Sequence, residues 1–257
     1  MKTHINLDGT TVDVPKSASI GEFANICAGA HIGEFARIGK GVRIGERVSI
    51  GAWALICEGV NIGKEASIGA LARVGKLASI GDGALILTYA RIGESANIGA
   101  WVSIGKEANI GKEASIGKFA SIGAWVSIGD GALIGKLASI GKSARIGEGA
   151  SIGDGASIGV CALIGERADI LASVKVPCGL NGATFCCGCN LIATVNDDKI
   201  AIDCEVKTAK EWLKVTPEEA VATIGMRKES YPAYRAFIEM VANFRKENKC
   251  LFRTFKN

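Results

Sequence analysis

The chain has 257 residues, 48% of them hydrophobic but only 6% aromatic, so any core it builds is aliphatic. Its 34 glycines against 4 prolines, with no period of three, exclude both an ordinary helical protein and a collagen. The 30 basic and 26 acidic residues leave a formal net charge of +4, too mild and too evenly mixed to point to nucleic acid.

The opening MKTHINLDGTTVDV lacks the continuous apolar stretch of a secretory signal, and no later run is long enough to span a bilayer. An odd count of 9 cysteines without a paired framework fits reduced thiols and a cytoplasmic setting. Within residues 1–16, Asp8-Gly9 between alternating apolar residues predicts a hairpin, placed to close the end of whatever follows.

From Ser17 to Cys178 the chain is 27 uninterrupted hexads, SASIGE, FANICA, GAHIGE and onward. The second position is always Ala or Val. The fourth is Ile except at Val74 and Val176, and the fifth is Gly except at Cys27, Cys57, Leu87, Leu171 and Pro177. An apolar residue every sixth position drifts around a helix, but positions two and four of a short strand point to the same side. One hexad cannot bury its own Ile, so the units must stack and share a core. A spacing of 18 brings out two further regularities. The sixth positions Glu22, Lys40, Glu58, Lys76, Glu94 and Lys112 alternate in sign, as neighbours roughly 4.8 Å apart should. The third positions His31, Ser49, Ser67, Leu85, Ser103, Ser121, Ser139 and Ser157 form a nearly pure serine column. Three hexads therefore make one coil.

The hexad pattern closely resembles the hexapeptide-repeat family. The resemblance implies an all-β left-handed parallel β-helix of about nine triangular coils over 17–178. It also implies acyl transfer or metal-dependent carbonic anhydrase chemistry, and homotrimeric assembly. Residues 179–257 change composition and predict a small α+β module. NLIATVNDDKIAIDCEV reads as a hairpin around Asn196-Asp197-Asp198, and Thr208 and Thr216, each with Glu three residues on, predict two capped helices. A last helix is predicted from about Pro232 to Lys246. The stretch IAIDCEVKTAKEW resembles a module found in phage-encoded proteins.

Both chemistries of the family rest on imidazole, as general base or as metal ligand. The chain has only 2 histidines, His4 and His31, which excludes a three-His metal site. His31 is the one solenoid candidate for a general base; the plainer reading is a surface residue in a serine column. Cys186-x-x-Cys189 has the spacing of half a zinc site, but the second half is missing, so no metal and no cofactor are expected.

The first hexad positions, at the corners, carry large apolar residues in lines: Phe35, Trp53, Leu71 and Tyr89 on one corner, Trp101, Phe119 and Leu137 on another. A soluble monomer rarely exposes such stripes, which predicts self-association, with shielding of the coil edges as the alternative. Outward on one face stand Arg37, Arg73, Arg91 and Arg145, with Arg43 on the next. Beside Trp53 and Tyr89 they predict a groove for a small anionic, nucleotide-like ligand; pairing with the acidic ladder alongside is the alternative. A loopless, Ile-cored prism offers little room for reactive groups. The sequence thus points to a non-catalytic trimeric scaffold or binding protein, with Arg37, Arg73, Arg91, Arg145, Trp53, Tyr89, Trp101 and Phe119 as contact residues. An acyltransferase using acyl-CoA with His31 as base is the alternative.

Overall fold

The structure, a computed structural model, describes residues 1–6, 8–170, 172–173, 175–176, 182–186, 192–196, 199–202, 205–224, 235 and 238–239. Every hexad from Ser17 onward contributes one two-residue strand from its third and fourth positions, beginning at Ser19–Ile20 and ending at Lys175–Val176. These strands stack in parallel at the expected spacing of 18. One face runs from His31 to Lys175 and is mostly serine; a second runs from Asn25 to Asp169; each is a nine-stranded sheet. The third, the arginine face, runs from Ser19 to Leu163. Nine rungs per face are joined by eight 18-residue turns, as the column arithmetic predicts.

The chemistry of each position follows from this stacking. Second-position Ala or Val and fourth-position Ile fill the prism axis; Ala54, Ile56, Val60 and Ile86 are fully buried. Each buried Ile contributes roughly 1.5–3 kcal/mol relative to exposure. Main-chain donors are used between rungs rather than within strands. Third- and fifth-position N–H groups donate to the next coil, as Arg37 N to Ala54 O at 2.9 Å and Gly39 N to Ile56 O at 2.8 Å. First-position N–H groups donate to the previous coil, as Trp53 N to Glu34 O at 2.9 Å.

The corners hold a feature that the hexad pattern does not announce. Every first position from Phe23 to Ser173 has positive φ, including Trp53 (+61°), Tyr89 (+61°) and Trp101 (+59°). A second-position N–H then donates to the carbonyl three residues back, as Ala54 N to Gly51 O at 3.3 Å. These are the marks of a type II turn, whose third residue is usually glycine. Here the glycine stands two residues earlier, at position five, for a different reason. A Cβ on Gly117 would lie 2.6 Å from Lys136 N and 2.7 Å from Gly135 C of the next coil, backbone that cannot swing away.

β1 (Lys2–Ile5) and β2 (Thr11–Val14) form the expected antiparallel hairpin, with Ile5 opposite Thr11. It covers the open edge with side chains. Lys2 Nζ donates to Ala18 O at 2.6 Å, and His4 Nε2 donates to Ala24 O at 2.9 Å. The buried amide of Asn6 donates to Ile26 O and accepts from Ile26 N, both at 2.8 Å, replacing a missing rung. At the turn, Asp8 Oδ1 accepts from Thr10 Oγ1 at 2.7 Å and Thr10 N at 3.0 Å, which holds its carboxyl below the usual carboxylate range.

At the other end Gly182–Cys186 joins the arginine face parallel to Leu163–Ile164, and Ile192–Asn196, Lys199–Ile202 and Glu205–Thr208 extend it antiparallel. The predicted hairpin is therefore present, with Asp197 and Asp198 outside the described residues. α1 (Ala209–Trp212) and α2 (Pro217–Ile224) follow. At α2 the capping box is reciprocal: Thr216 N donates to Glu219 Oε2 at 2.9 Å and Glu219 N to Thr216 Oγ1 at 3.2 Å. Of the last predicted helix only Arg235, Ile238 and Glu239 are described, and they are helical. Cys178, Cys187, Cys189 and Cys204 lie outside the described residues. Among those described, no helix is long and apolar enough to cross a membrane.

Gly117→Ala should cost about 1–3 kcal/mol by wedging two coils apart. Glu113→Gly, at a positive-φ corner, should cost nothing and gain up to about 1 kcal/mol, because a strained side chain is removed. Chemical denaturation compares the two; an ordinary strand ladder would rank them the other way. At the hairpin, Asn6→Ala should cost about 1–3 kcal/mol by leaving the Ile26 amide group unmet. The Asp8 contribution is complete above the ordinary carboxylate pKa and is lost as the pH falls through its depressed value. Amide exchange should therefore show the hairpin opening in acid before the prism does.

Candidate functional site

The arginine face and the corner beside it carry the residues that the prism does not need for its own packing. In register along the face stand Arg37, Leu55, Arg73, Arg91, Asn109, Ser127 and Arg145. Along the adjoining corner, one per rung, stand Phe35, Trp53, Leu71, Tyr89, Glu107 and Trp125, each held at positive φ by its turn. The reversed backbone at these corners throws the side chains outward. Phe35 is 44% exposed, Trp53 58% and Tyr89 51%, although Phe35 and Trp53 stack on each other with centroids 4.3 Å apart and planes 13° off parallel.

Between face and corner lies a groove of about 750 Å³, lined by Arg37, Trp53, Leu55, Leu71, Arg73, Tyr89, Arg91, Glu107 and Asn109. That volume suits a small organic ligand. Five of the eight contact residues read from the sequence meet here: Arg37, Arg73, Arg91, Trp53 and Tyr89. Arg145 shares the column but stands three rungs beyond Arg91, outside the groove. Trp101 and Phe119 lie on a different corner, one above the other, with the Trp101 indole folded back over Gly83. Leu55, Glu107 and Asn109 were missed as lining residues, yet the signal was available: each lies 18 residues from a residue already named.

What separates this face is the sign of its charges: the outward column holds four arginines and no carboxylate. At three places elsewhere, charges 18 residues apart do pair: Lys40 with Glu22 at 3.9 Å, Lys64 with Glu46 at 3.5 Å, and Arg47 with Glu65. The alternating ladder closes to an ion pair only at Glu22–Lys40 among the described residues. Arg37, Arg73, Arg91 and Arg145 are exposed and make no ion pair at all among them. Arg73 and Arg91 are also direct cross-strand neighbours, an arrangement in which like charges repel. The expected alternative, pairing with the acidic ladder, is therefore not what the structure adopts. The one carboxylate in the groove, Glu107, is held by Lys106 at 3.5 Å rather than by an arginine. Lys106 in turn lies 6.0 Å from the Tyr89 ring centroid.

The two imidazoles have separate fates. His4 is part of the hairpin that closes the first coil. His31 is exposed in the serine column, opposite Ser49, on another face from the groove. Cys27, Cys57 and Cys161 are free thiols, and no group of three metal-ligating side chains occurs among the described residues.

A family model described as the hexapeptide repeat of succinyl-transferase matches residues 41–70, a span that includes Trp53 and Leu55. No match is found among curated proteins. Among solved structures, the chain is similar to a UDP-N-acetylglucosamine acyltransferase from Bacteroides fragilis, at 19% identity over 91% of this chain and 97% of that one, with a TM-score of 0.36. It is also similar to the enzyme of that name from Arabidopsis, at 17% identity over 67% and 70% with a TM-score of 0.38. The enzyme of that name from Francisella novicida gives 19% over 93% and 88%, with a TM-score of 0.30. At these values none of the named activities passes to this chain. Hexad register and three stacked parallel columns give the chain the fold of a parallel β-helix built from hexapeptide repeats, of which residues 41–70 match the family model.

Proposed function

We propose that this protein is a hexapeptide-repeat acyltransferase that holds the anionic part of a substrate or acyl donor in the arginine groove. The observation that carries the reading is the gathering of three unpaired guanidinium groups beside an aromatic edge. The charges in this column are all of one sign and have no carboxylate partner among the described residues, and a bound carboxylate or phosphate relieves both the repulsion and the missing partners. The succinyl-transferase description of the matched repeats supports acyl transfer over passive binding. In that chemistry His31 is the solenoid imidazole available as base: it takes the proton of an acceptor hydroxyl or amine as that group attacks the thioester carbonyl, and the thiol departs.

His31 and the groove lie on different faces of one chain, so the reaction calls for a second copy. The Trp101, Phe119 and Leu137 corner, exposed by 55%, 56% and 66%, supports self-association, and the homotrimer implied by the hexad resemblance supplies three such junctions. A second reading, a non-catalytic scaffold that sequesters an anionic ligand, is favoured by the same separation, because no imidazole lines the groove.

Turnover assays with a panel of acyl-CoA donors distinguish the two. The enzyme reading expects hydrolysis or transfer that His31→Ala reduces by about 100-fold or more. Arg73→Gln should weaken anion binding roughly tenfold, a factor set by one charge-assisted hydrogen-bonded contact, and should do so in either reading. Binding without turnover would establish the scaffold. Trp101→Glu should dissociate the assembly in light scattering; a wild-type monomer would remove the shared-site argument.

A further inference from the structure

We infer that the groove is the deepest part of a longer track, and that its ligand is an anionic polysaccharide extended along the solenoid axis. The inference rests on the groove being an anion site and adds to it the length and polymeric character of the ligand.

Both lines of residues that build the groove continue past its end. On the face, Asn109 is followed by Ser127 and then by the unpaired, exposed Arg145. On the corner, Glu107 is followed by Trp125, which is 48% exposed and has the Lys142 ammonium 4.3 Å from its ring centroid. From Arg37 to Arg145 the track covers seven rungs, whose six intervals span about 29 Å at the usual strand spacing. Cations thus recur along one edge of the prism, with aromatic rings at four of the six corner positions, Leu55 between Arg37 and Arg73, and Asn109 and Ser127 between Arg91 and Arg145.

This combination fits a charged glycan. Guanidinium forks take carboxylates in a bidentate manner, Asn109 and Ser127 offer partners for hydroxyls, and exposed aromatic rings accept the C–H faces of sugars. Regularity of spacing favours the glycan over the other common polyanion. A sugar in an extended chain advances by about one rung of a β-stack, so successive units meet successive rungs. A single nucleic acid strand has no fixed repeat, about 3.4 Å when stacked and longer when extended, so it keeps no constant register with the rungs, and Phe35 and Trp53 already stack on each other rather than on a base. A polysaccharide also presents many hydroxyls, the acceptor class that acyl transfer requires.

The test uses the full chain with galacturonate oligomers of one to eight units, neutral glucan oligomers of equal length, and a dT12 strand, read by calorimetry. Affinity for the galacturonates should rise with length to about seven units and then level off, because the track ends there. Neutral glucans should bind at least tenfold more weakly than galacturonates of the same length. Arg145→Gln and Trp125→Ala, both outside the groove, should each weaken the octamer roughly tenfold while leaving the trimer unchanged. An unaltered unfolding midpoint would show that neither change acts through the fold. Equal affinity for trimer and octamer, or no effect of Arg145→Gln, overturns the track while leaving the groove intact. If Arg73→Gln has no effect on the trimer, the groove reading itself falls. Tighter binding of dT12 than of the octamer assigns the track to nucleic acid, and absence of galacturonate binding rejects the glycan; either result overturns the inference.

Discussion

The distance between successive coils governs this molecule. Main-chain hydrogen bonds tie each hexad to the coil above and the coil below, and the fifth-position glycines let the turn backbones approach until a single Cβ would not fit. With that spacing fixed, anything placed at a given hexad position repeats along the axis at a constant interval. Inward positions become a continuous column of Ile and Ala. Outward positions become rulers, on which charges, hydroxyls and rings can be set one rung at a time without disturbing the core.

The separation of duties explains which parts of the structure were legible in the sequence. Core residues and rung pairing could be read because they obey a period: Ile56, Val74 and Ile92 fall in one column by arithmetic alone, and the structure pairs them so. The N-terminal hairpin was legible from Asp8-Gly9, although its use of His4 and Asn6 as substitutes for a missing strand was not, since that depends on where the hairpin lies over the first coil. Positive φ at the corners was hidden by its occupants. Trp, Tyr, Phe and Glu are poor signals for a left-handed residue, and the glycine that usually marks such a turn stands at another position for steric reasons.

The arginine groove was half legible. Column arithmetic brought Arg37, Arg73 and Arg91 together with Trp53 and Tyr89, and the same arithmetic could have added Glu107 and Asn109. Whether the arginines were neutralised was beyond the sequence, because Glu and Lys residues sit close enough in the repeat to permit either outcome. The corner geometry settles it. Sixth- and first-position side chains project along the edges and pair with one another, as Lys64 with Glu46 and Lys106 with Glu107, while third-position arginines project from the flat of the face. The acidic ladder is nearby in sequence but directed elsewhere.

A rigid surface with unneutralised charge has a consequence for how it binds. The arginines are anchored on strands that cannot shift relative to one another without breaking inter-coil hydrogen bonds, so little backbone entropy is lost when a ligand arrives. Two guanidinium groups held on adjacent rungs repel each other, less so as salt screens them, and an anion reaching both would relieve that repulsion. For an anion held there, affinity would be weighted toward charges that match the rung interval, and selectivity would come from periodicity rather than from an enclosing pocket. A loopless prism, which has no lid to close and few reactive side chains, can still discriminate strongly in this way. The same stacking that makes the chain monotonous to read leaves its non-repeating outward residues as the positions where one rung can differ from the next.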